Sequence, residues 1–157
     1  MARFESRPDV ALREGYHSPQ VDVEVRLNTN ESPLAPPASF LHALAAEVSQ
    51  VAWNRYPDRG ATELRRRIAD LHGVAPEQVF VANGSNEVLQ TLSLTYAGPG
   101  RSVAVFEPTY AMHSQIARIA GSEVAEGARG AVLSLDLDEV RRVLAESSPA
   151  ITYVCSP

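Results

Sequence analysis

The sequence predicts an α/β fold in which a mainly parallel sheet is flanked by helices and preceded by an extended arm. Three observations support this prediction. Strand-like and helix-like segments alternate from about residue 78 onward, a strand passes through Gly84 into a helix, and prolines interrupt the first 37 residues. Strands that alternate with helices are typical of crossover units, which place their strands in parallel.

The first 37 residues are predicted to form the extended arm, because they contain five prolines and show little hydrophobic periodicity. Within this arm, residues 21–27 alternate apolar and polar side chains, which predicts one short, half-exposed strand. The larger domain is therefore expected to cover residues 38–157.

Two amphipathic helices are predicted to follow the arm, at residues 38–50 and 62–72. Gly73 comes directly after the second pattern and is expected to end that helix. The positions expected to face the core are Leu41, Leu44 and Val48 in the first helix and Leu64, Ile68 and Leu71 in the second.

The alternating region then supplies the sheet. Asp136 and Glu139 have the spacing of a capping box, which predicts a helix that runs to about residue 146. The other predicted helices are 86–96 and 110–120, and the predicted strands are 78–81, 102–106, 123–125 and 151–155.

The junction at residues 79–89 carries the clearest functional signal. A β-branched and aromatic run ends at Gly84, and a helical apolar pattern begins directly after it. The first N–H groups of a helix lack intrahelical partners and the helix dipole adds partial positive charge, so such a junction binds anions. Gly84 allows close approach of the backbone, and Ser85 and Asn86 offer short polar side chains. The alternative is a helix cap that binds no ligand.

The composition argues against two classes of partner. The net charge is −5, which leaves no basic surface for nucleic acid or an acidic membrane. The sequence contains no run of 18 apolar residues, so no membrane-spanning helix is expected. The first residues also lack the apolar segment of a signal peptide.

The single cysteine, Cys155, has no partner for an intrachain disulfide, so a reducing, cytoplasmic location is expected. Cys155 is interpreted as an inert buried thiol. The four histidines lack the spacing of metal ligands, so no metal site is predicted, and exposed or helix-capping roles are expected for them. They are His17, His42, His72 and His113.

The chain contains no lysine, and all 14 basic residues other than histidine are arginine. An arginine-rich compositional bias is sufficient to explain this. The chemical consequence does not depend on the cause, because without lysine the chain has no side-chain amine that forms a Schiff base.

Four ordered segments resemble one family. They are Leu-Asn-Thr-Asn-Glu-Ser-Pro at 27–33, Asn-Arg-Tyr-Pro-Asp at 54–58, Asn-Gly-Ser-Asn-Glu at 83–87 and Glu-Pro-Thr-Tyr-Ala-Met at 107–112. Their order and spacing resemble those of histidinol-phosphate aminotransferases, pyridoxal-phosphate enzymes of the aspartate-aminotransferase fold type. The resemblance implies a partial large domain of a fold-type-I pyridoxal-phosphate enzyme, with residues 38–157 as the N-terminal part of that domain.

The resemblance also implies roles for individual residues. Gly84, Ser85 and Asn86 would hold the phosphate of pyridoxal 5'-phosphate at the helix N-terminus. Many relatives carry aspartate where this chain has Asn86, and the loss of a negative charge beside a phosphate is not expected to weaken binding. Tyr110 would stack on the pyridine ring. Without the resemblance, Tyr110 would be interpreted as an ordinary tyrosine at a helix boundary.

The remaining implied roles involve a second subunit and the substrate. Tyr56, in the Arg-Tyr-Pro motif, would reach across a homodimer interface to the partner's cofactor phosphate. The alternative for Tyr56 is a tyrosine packed on its own domain. Tyr16 and Asn30 would lie near the substrate.

The resemblance further indicates what the sequence does not contain. In the family, the strand that matches residues 151–155 leads into an asparagine-containing loop. Beyond that loop come an aspartate for the pyridine nitrogen, the Schiff-base lysine and arginines for the substrate. We therefore assign no catalytic residue and expect these 157 residues to be the N-terminal portion of a longer protein, inactive alone.

The reaction implied for the longer protein is the reversible transfer of an amino group from glutamate to imidazole-acetol phosphate, which yields 2-oxoglutarate and histidinol phosphate in histidine biosynthesis. Three alternatives stay open. One is an aromatic aminotransferase or an amino-acid-phosphate decarboxylase of the same fold. Another is a non-catalytic interaction fragment. The third, a doubly wound nucleotide-binding domain, is disfavoured because no Gly-x-Gly-x-x-Gly motif opens the first crossover.

Overall fold

Within the residues that the computed structural model describes, 5–11 and 19–156, the chain forms six α-helices and three strands. The strands are β1 (Ser102–Glu107), β2 (Glu123–Ala128) and β3 (Ile151–Thr152). The helices are α1 (Pro8–Ala11), α2 (Ala38–Gln50), α3 (Thr62–His72), α4 (Ser85–Tyr96), α5 (Met112–Ile119) and α6 (Leu137–Ser147), with a 3₁₀ turn at Pro76–Gln78 between α3 and α4.

These elements fall into two compact units. The first consists of Met1–Tyr16, as far as that range is described, together with Val81–Pro157, and it contains all three strands. The second, His17–Phe80, contains α2, α3 and the 3₁₀ turn. None of the described helices combines the length and the apolar composition needed to cross a membrane.

The sheet is parallel, with the strand order β2-β1-β3, which confirms the predicted class. Ser102 pairs with Glu123 at one end of the β1–β2 ladder, and Glu107 pairs with Ala128 at the other. On the opposite side of β1, Val103 pairs with Ile151. The central strand therefore has a partner on both sides, and its carboxyl end lies beside the carboxyl end of β2.

β1 is buried on both faces because helices cover each side of the sheet. Val103 and Val105 pack with Ala117 of α5 and with Tyr153, which follows β3. The alternate residues of β1 form a second cluster with Val143 of α6. Side chains of successive strand residues point to opposite faces, so a continuous apolar run is what a doubly covered strand requires.

Gly127 of β2 is required by close packing on the α6 side of the sheet. A Cβ atom at this position would lie 2.7 Å from Cδ1 of Phe106 and 3.0 Å from Cγ2 of Val143. Because real Cβ contacts are longer than this, any side chain here would displace the Phe106 ring from the core.

Two strand predictions are wrong, and a third is only partly right. Residues 78–81 do not form a strand: Val79 has extended dihedral angles, but no strand pairs with it in the described chain, and its carbonyl instead accepts a hydrogen bond from Arg65 Nε at 2.9 Å. Residues 21–27 are exposed and do not form a strand either. The last strand stops at Thr152, short of the predicted Cys155. An extended segment becomes a strand only where a neighbour completes its ladder.

The predicted bounds of α2 and α3 are confirmed, but several of the residues predicted to face the core are exposed. Leu64 and Leu71 are exposed, and the buried residue of α3 is Ala69. The three apolar positions predicted to face inward on α2 are also more than 40% exposed. Periodicity identifies the apolar face of a helix, whereas burial depends on whether another element covers that face.

The helix α6 begins with a side-chain cap, but the predicted capping box is not formed. Asp136 Oδ1 accepts the N–H of Asp138 at 2.9 Å, as an N-cap side chain does. Glu139 does not return to Asp136, and instead accepts the N–H of Ala128 at the end of β2, at 3.2 Å. Glu139 also pairs with Arg142, whose hydrogen bond is the largest cause of a pKa lowered to about 2.

His113 is buried, which corrects the expectation of an exposed or capping role. Its ring stacks on that of Tyr153, with centroids 4.9 Å apart and planes at 16°. Nδ1 lies 3.1 Å from Oγ1 of Thr109. Burial lowers the pKa of His113 because it penalises the charged imidazolium, and the nearby carboxylate of Glu107 opposes this effect.

We therefore expect the free energy of unfolding to decrease as the pH falls from about 7.5 to about 5.5. Because the pKa of His113 is lower in the folded chain, the unfolded chain takes up a proton at this position more readily as the pH falls. His113→Phe should flatten this slope, measured by urea denaturation at a series of pH values. The matched control is His42→Gln, which removes an exposed histidine. Equal flattening in both variants would contradict the role assigned to His113.

Candidate functional site

The candidate site is built at the start of α4 and in the loop that joins β1 to α5. Both segments belong to the first unit. They are brought together by a hydrogen bond that the Tyr110 hydroxyl donates to Asn86 Oδ1, at 3.2 Å. These two residues are 24 positions apart, so the contact is a product of the fold.

The turn before α4 has the geometry expected of an anion site. Gly84 is the N-cap residue, with φ 83° and ψ 167°, a conformation open essentially only to glycine. Its N–H donates to the Ala82 carbonyl at 3.0 Å. The N–H of Asn83 donates to the Glu87 carboxylate at 2.6 Å. Glu87 therefore closes the turn, in addition to its favourable position in the first turn of the helix.

The donors of this turn fit a phosphate group. Gly84 has no side chain to cap α4. The first N–H groups of the helix therefore have no intrahelical acceptor and no acceptor from an N-cap side chain. No heavy atom lies within 4 Å of the position that a Cβ of Gly84 would occupy, and residues 83–87 are exposed. The backbone is therefore open to a ligand at the point where the helix dipole favours negative charge.

Tyr110 precedes α5, which begins at Met112 and not at residue 110 as predicted. The Tyr110 side chain is 36% exposed, and its ring meets that of His113 edge to face, with centroids 5.6 Å apart and planes at 87°. The loop before it is held by Glu107, whose carboxylate accepts the N–H of Thr109 at 2.9 Å. The tyrosine therefore presents a partly exposed ring beside the first turn of α4.

The structure brings together four of the residues that the sequence singled out: Gly84, Ser85, Asn86 and Tyr110 all lie in this one part of the first unit. Tyr56 and Asn30 belong to the second unit, where Tyr56 is 98% exposed and Asn30 is exposed. Tyr16, with the neighbouring His17, lies outside the described residues.

Arg129, at the carboxyl edge of the sheet, is not among the residues that the sequence motifs identified. Its guanidinium donates to the carbonyls of Phe106 at the end of β1, Leu133 in the loop after β2, and Cys155 beyond β3. It thereby ties three segments together at the carboxyl edge of the sheet and carries a positive charge there. No spacing rule identifies such a residue, because its three acceptors are backbone groups distant in the sequence.

No group of three or more histidine, cysteine or carboxylate side chains lies close enough to hold a metal ion among residues 5–11 and 19–156. What the arrangement offers is a set of backbone donors, an amide and a partly exposed aromatic ring, which suits a ligand that combines an anionic group with a flat ring.

Comparison with known sequences gives close relatives along nearly the whole chain. The chain is 40% identical to the histidinol-phosphate aminotransferase of Thermobifida fusca, an alignment that covers 96% of this chain and 42% of the relative. It is 43% identical to that of Streptomyces avermitilis, with coverage of 96% and 43%. The chain thus spans about two fifths of the length of the curated relatives it matches.

Solved structures share the fold. The α-aminoadipate aminotransferase LysN of Thermus thermophilus, complexed with N-(5'-phosphopyridoxyl)-L-leucine, matches with a TM-score of 0.61 and 27% identity. That match covers 74% of this chain and 30% of LysN. The aspartate aminotransferase of Thermus thermophilus with maleate matches at a TM-score of 0.65 and 24% identity, with coverage of 74% and 33%. These matches confirm the predicted fold type, of which the chain forms a part.

The family model for class I and II aminotransferases matches residues 22–157. This range contains the turn at Gly84, the tyrosine at 110 and the whole of the parallel sheet. The chain therefore belongs to the family of class I and II aminotransferases.

Proposed function

We propose that this chain is the phosphate-binding and ring-binding portion of a pyridoxal-phosphate-dependent histidinol-phosphate aminotransferase. The whole protein would exchange an amino group between glutamate and imidazole-acetol phosphate. The observation that carries the proposal is the hydrogen bond from Tyr110 to Asn86, which places an aromatic ring beside an uncapped helix N-terminus. The identity of 40–43% to histidinol-phosphate aminotransferases supports the choice of reaction.

Each of these residues has a separate task in the proposed site. The backbone N–H groups at Gly84, Ser85 and Asn86 hold the phosphate, aided by the helix dipole. Tyr110 packs its ring against the pyridine ring and limits the access of water to that face. Asn86 orients Tyr110 by accepting a hydrogen bond from its hydroxyl at Oδ1. Pyridoxal phosphate, when bound, supplies the electron sink that stabilises negative charge at the substrate's α-carbon.

Several further roles belong to the same proposal. Tyr56 would contact the cofactor phosphate of the partner subunit in a homodimer, a role that suits a side chain 98% exposed on its own chain. Asn30 and Tyr16 would lie near the substrate. We also expect the protein to work in the cytoplasm, in keeping with its single cysteine.

The first expected result is that the purified 157-residue chain does not turn over glutamate and imidazole-acetol phosphate. The reaction needs a side-chain amine as covalent anchor and as base, and this chain contains no lysine. Production of 2-oxoglutarate, measured with a coupled dehydrogenase at saturating pyridoxal phosphate, should equal the protein-free blank. A rate above the blank would contradict the proposed division of roles.

Binding is tested separately, with pyridoxamine 5'-phosphate, because this form of the cofactor needs no lysine. We expect ³¹P NMR titration to show binding of both pyridoxamine 5'-phosphate and inorganic phosphate. Tyr110→Ala should weaken binding of the first by up to about tenfold, through loss of ring contact, and leave the second unchanged. The control is Tyr96→Ala, at the opposite end of α4, which removes a tyrosine that is 55% exposed. Equal effects of the two variants would count against a ring-binding role for Tyr110.

The phosphate half of the site is probed at Gly84. Gly84→Ala forces a side chain into a backbone conformation that costs about 1–3 kcal/mol, and the turn is expected to move away from its anion-binding geometry. Gly73→Ala is the matched control, since Gly73 also has a positive φ, 65°, but ends α3 in the second unit. Both variants should unfold at lower urea concentration, and only Gly84→Ala should weaken the binding of inorganic phosphate. Unchanged phosphate binding in Gly84→Ala would overturn the assignment of this turn.

A further inference from the structure

Three aromatic rings lie in a row behind the candidate site. His113 is the middle one, in contact with Tyr110 edge to face and with Tyr153 by stacking. The outer ring, Tyr110, is 36% exposed, whereas His113 and Tyr153 are each 8% exposed. The row therefore runs from the surface of the site into the core of the first unit.

Both tyrosines of the row are anchored to α4. The Tyr110 hydroxyl donates a hydrogen bond to Asn86 Oδ1 in the first turn. The Tyr153 hydroxyl hydrogen-bonds with Ser93 Oγ at 3.0 Å and donates to the Leu89 carbonyl at 3.2 Å. Ser93 is fully buried, so this inner anchor is shielded from water. The inner tyrosine thus provides a fixed surface on which the histidine rests.

The histidine is held by Thr109 and by its own backbone, in addition to the stacked ring of Tyr153. Its Nδ1 lies 3.1 Å from Thr109 Oγ1, and its backbone N–H donates to the Tyr110 carbonyl at 2.9 Å. A ring with one fixed edge and one stacked face has little rotational freedom. Tyr110 has a partly exposed ring, and its hydroxyl bond to Asn86 and its contact with His113 are among the interactions that orient it.

We propose that His113 is a positioning residue, a wedge between Tyr153 and Tyr110 that sets the angle at which the Tyr110 ring faces the phosphate-binding turn. The inference rests on the proposed function, in which this ring packs against the cofactor. Without a ring at position 113, the Tyr110 ring loses one of the surfaces that restrain it, and its hydroxyl bond to Asn86 is held less firmly. The effect should therefore fall on binding of the cofactor ring and not on binding of phosphate.

The experiment compares three substitutions of His113 in the 157-residue chain. His113→Leu removes the ring and keeps apolar volume, whereas His113→Gln removes the ring and keeps a polar atom for Thr109. His113→Phe keeps a ring of similar shape and removes Nδ1. Two measurements are made on each: the nuclear Overhauser effect between the Tyr110 ring and the Asn86 side-chain amide, and the dissociation constants of pyridoxamine 5'-phosphate and inorganic phosphate.

We expect His113→Leu and His113→Gln to weaken the Tyr110–Asn86 Overhauser effect. Both should raise the dissociation constant of pyridoxamine 5'-phosphate by about three- to tenfold, with that of inorganic phosphate unchanged. His113→Phe should keep the Overhauser effect and the dissociation constant of pyridoxamine 5'-phosphate at their wild-type values. Tyr153→Phe is the control: it keeps the stacked ring but loses the hydroxyl bonds, so it should lower stability without changing the ratio of the two constants.

The inference is overturned if the ring-lacking variants keep the Overhauser effect and the ratio of wild type, or if His113→Phe behaves as they do. Should His113→Leu fail to fold, His113→Gln decides by the same measures. Failure of the proposed function would be seen in a different measurement, the binding of ligands by the wild-type chain. The wild-type chain would then bind neither ligand, while the Overhauser effect would still show whether His113 positions the Tyr110 ring.

Discussion

The double pairing of β1 is the constraint on which the rest of the structure depends. β2 on one side and β3 on the other hold β1 in a parallel ladder, and helices cover both of its faces. Because the three strands run in the same direction, the segments that leave their carboxyl ends emerge at one edge. Arg129 bonds to one carbonyl near the end of β1 and to carbonyls in the segments that follow β2 and β3. The loop after β1 carries Tyr110 toward the start of α4.

The site is assembled from backbone geometry more than from charged side chains. Gly84 adopts a positive φ and has no side chain to obstruct the turn. The helix α4 contributes its first N–H groups and its dipole. The side chains that complete the site are an amide and a phenol, joined by a hydrogen bond. In the proposed function, such a site would recognise a phosphate by the direction of its N–H groups and by the helix dipole, and the chain has no lysine to supply the covalent chemistry.

The features predicted correctly from the sequence are those that depend on residues close together in the chain. The bounds of α2 and α3 are predicted because helical periodicity and the glycine at 73 act within a few residues. The turn at Gly84 is predicted for the same reason, since a strand-like run that breaks at glycine determines the start of α4. Two predictions were wrong because they depend on a second element. Residues 78–81 would form a strand only if another strand paired with them, and Leu64 and Leu71 would be buried only if another element covered them.

The α/β class, the turn at Gly84, the family resemblance and the lack of a side-chain amine all follow from the sequence. Which residues meet is a product of the tertiary structure. It brought Tyr110 to Asn86 across 24 positions, buried His113 between two tyrosines, and gathered three carbonyls around Arg129. The physical reason is the range of the forces involved. Turn and helix preferences are set by neighbours in the chain, whereas ring contacts and carbonyl clusters exist only after the parallel sheet has brought distant segments together.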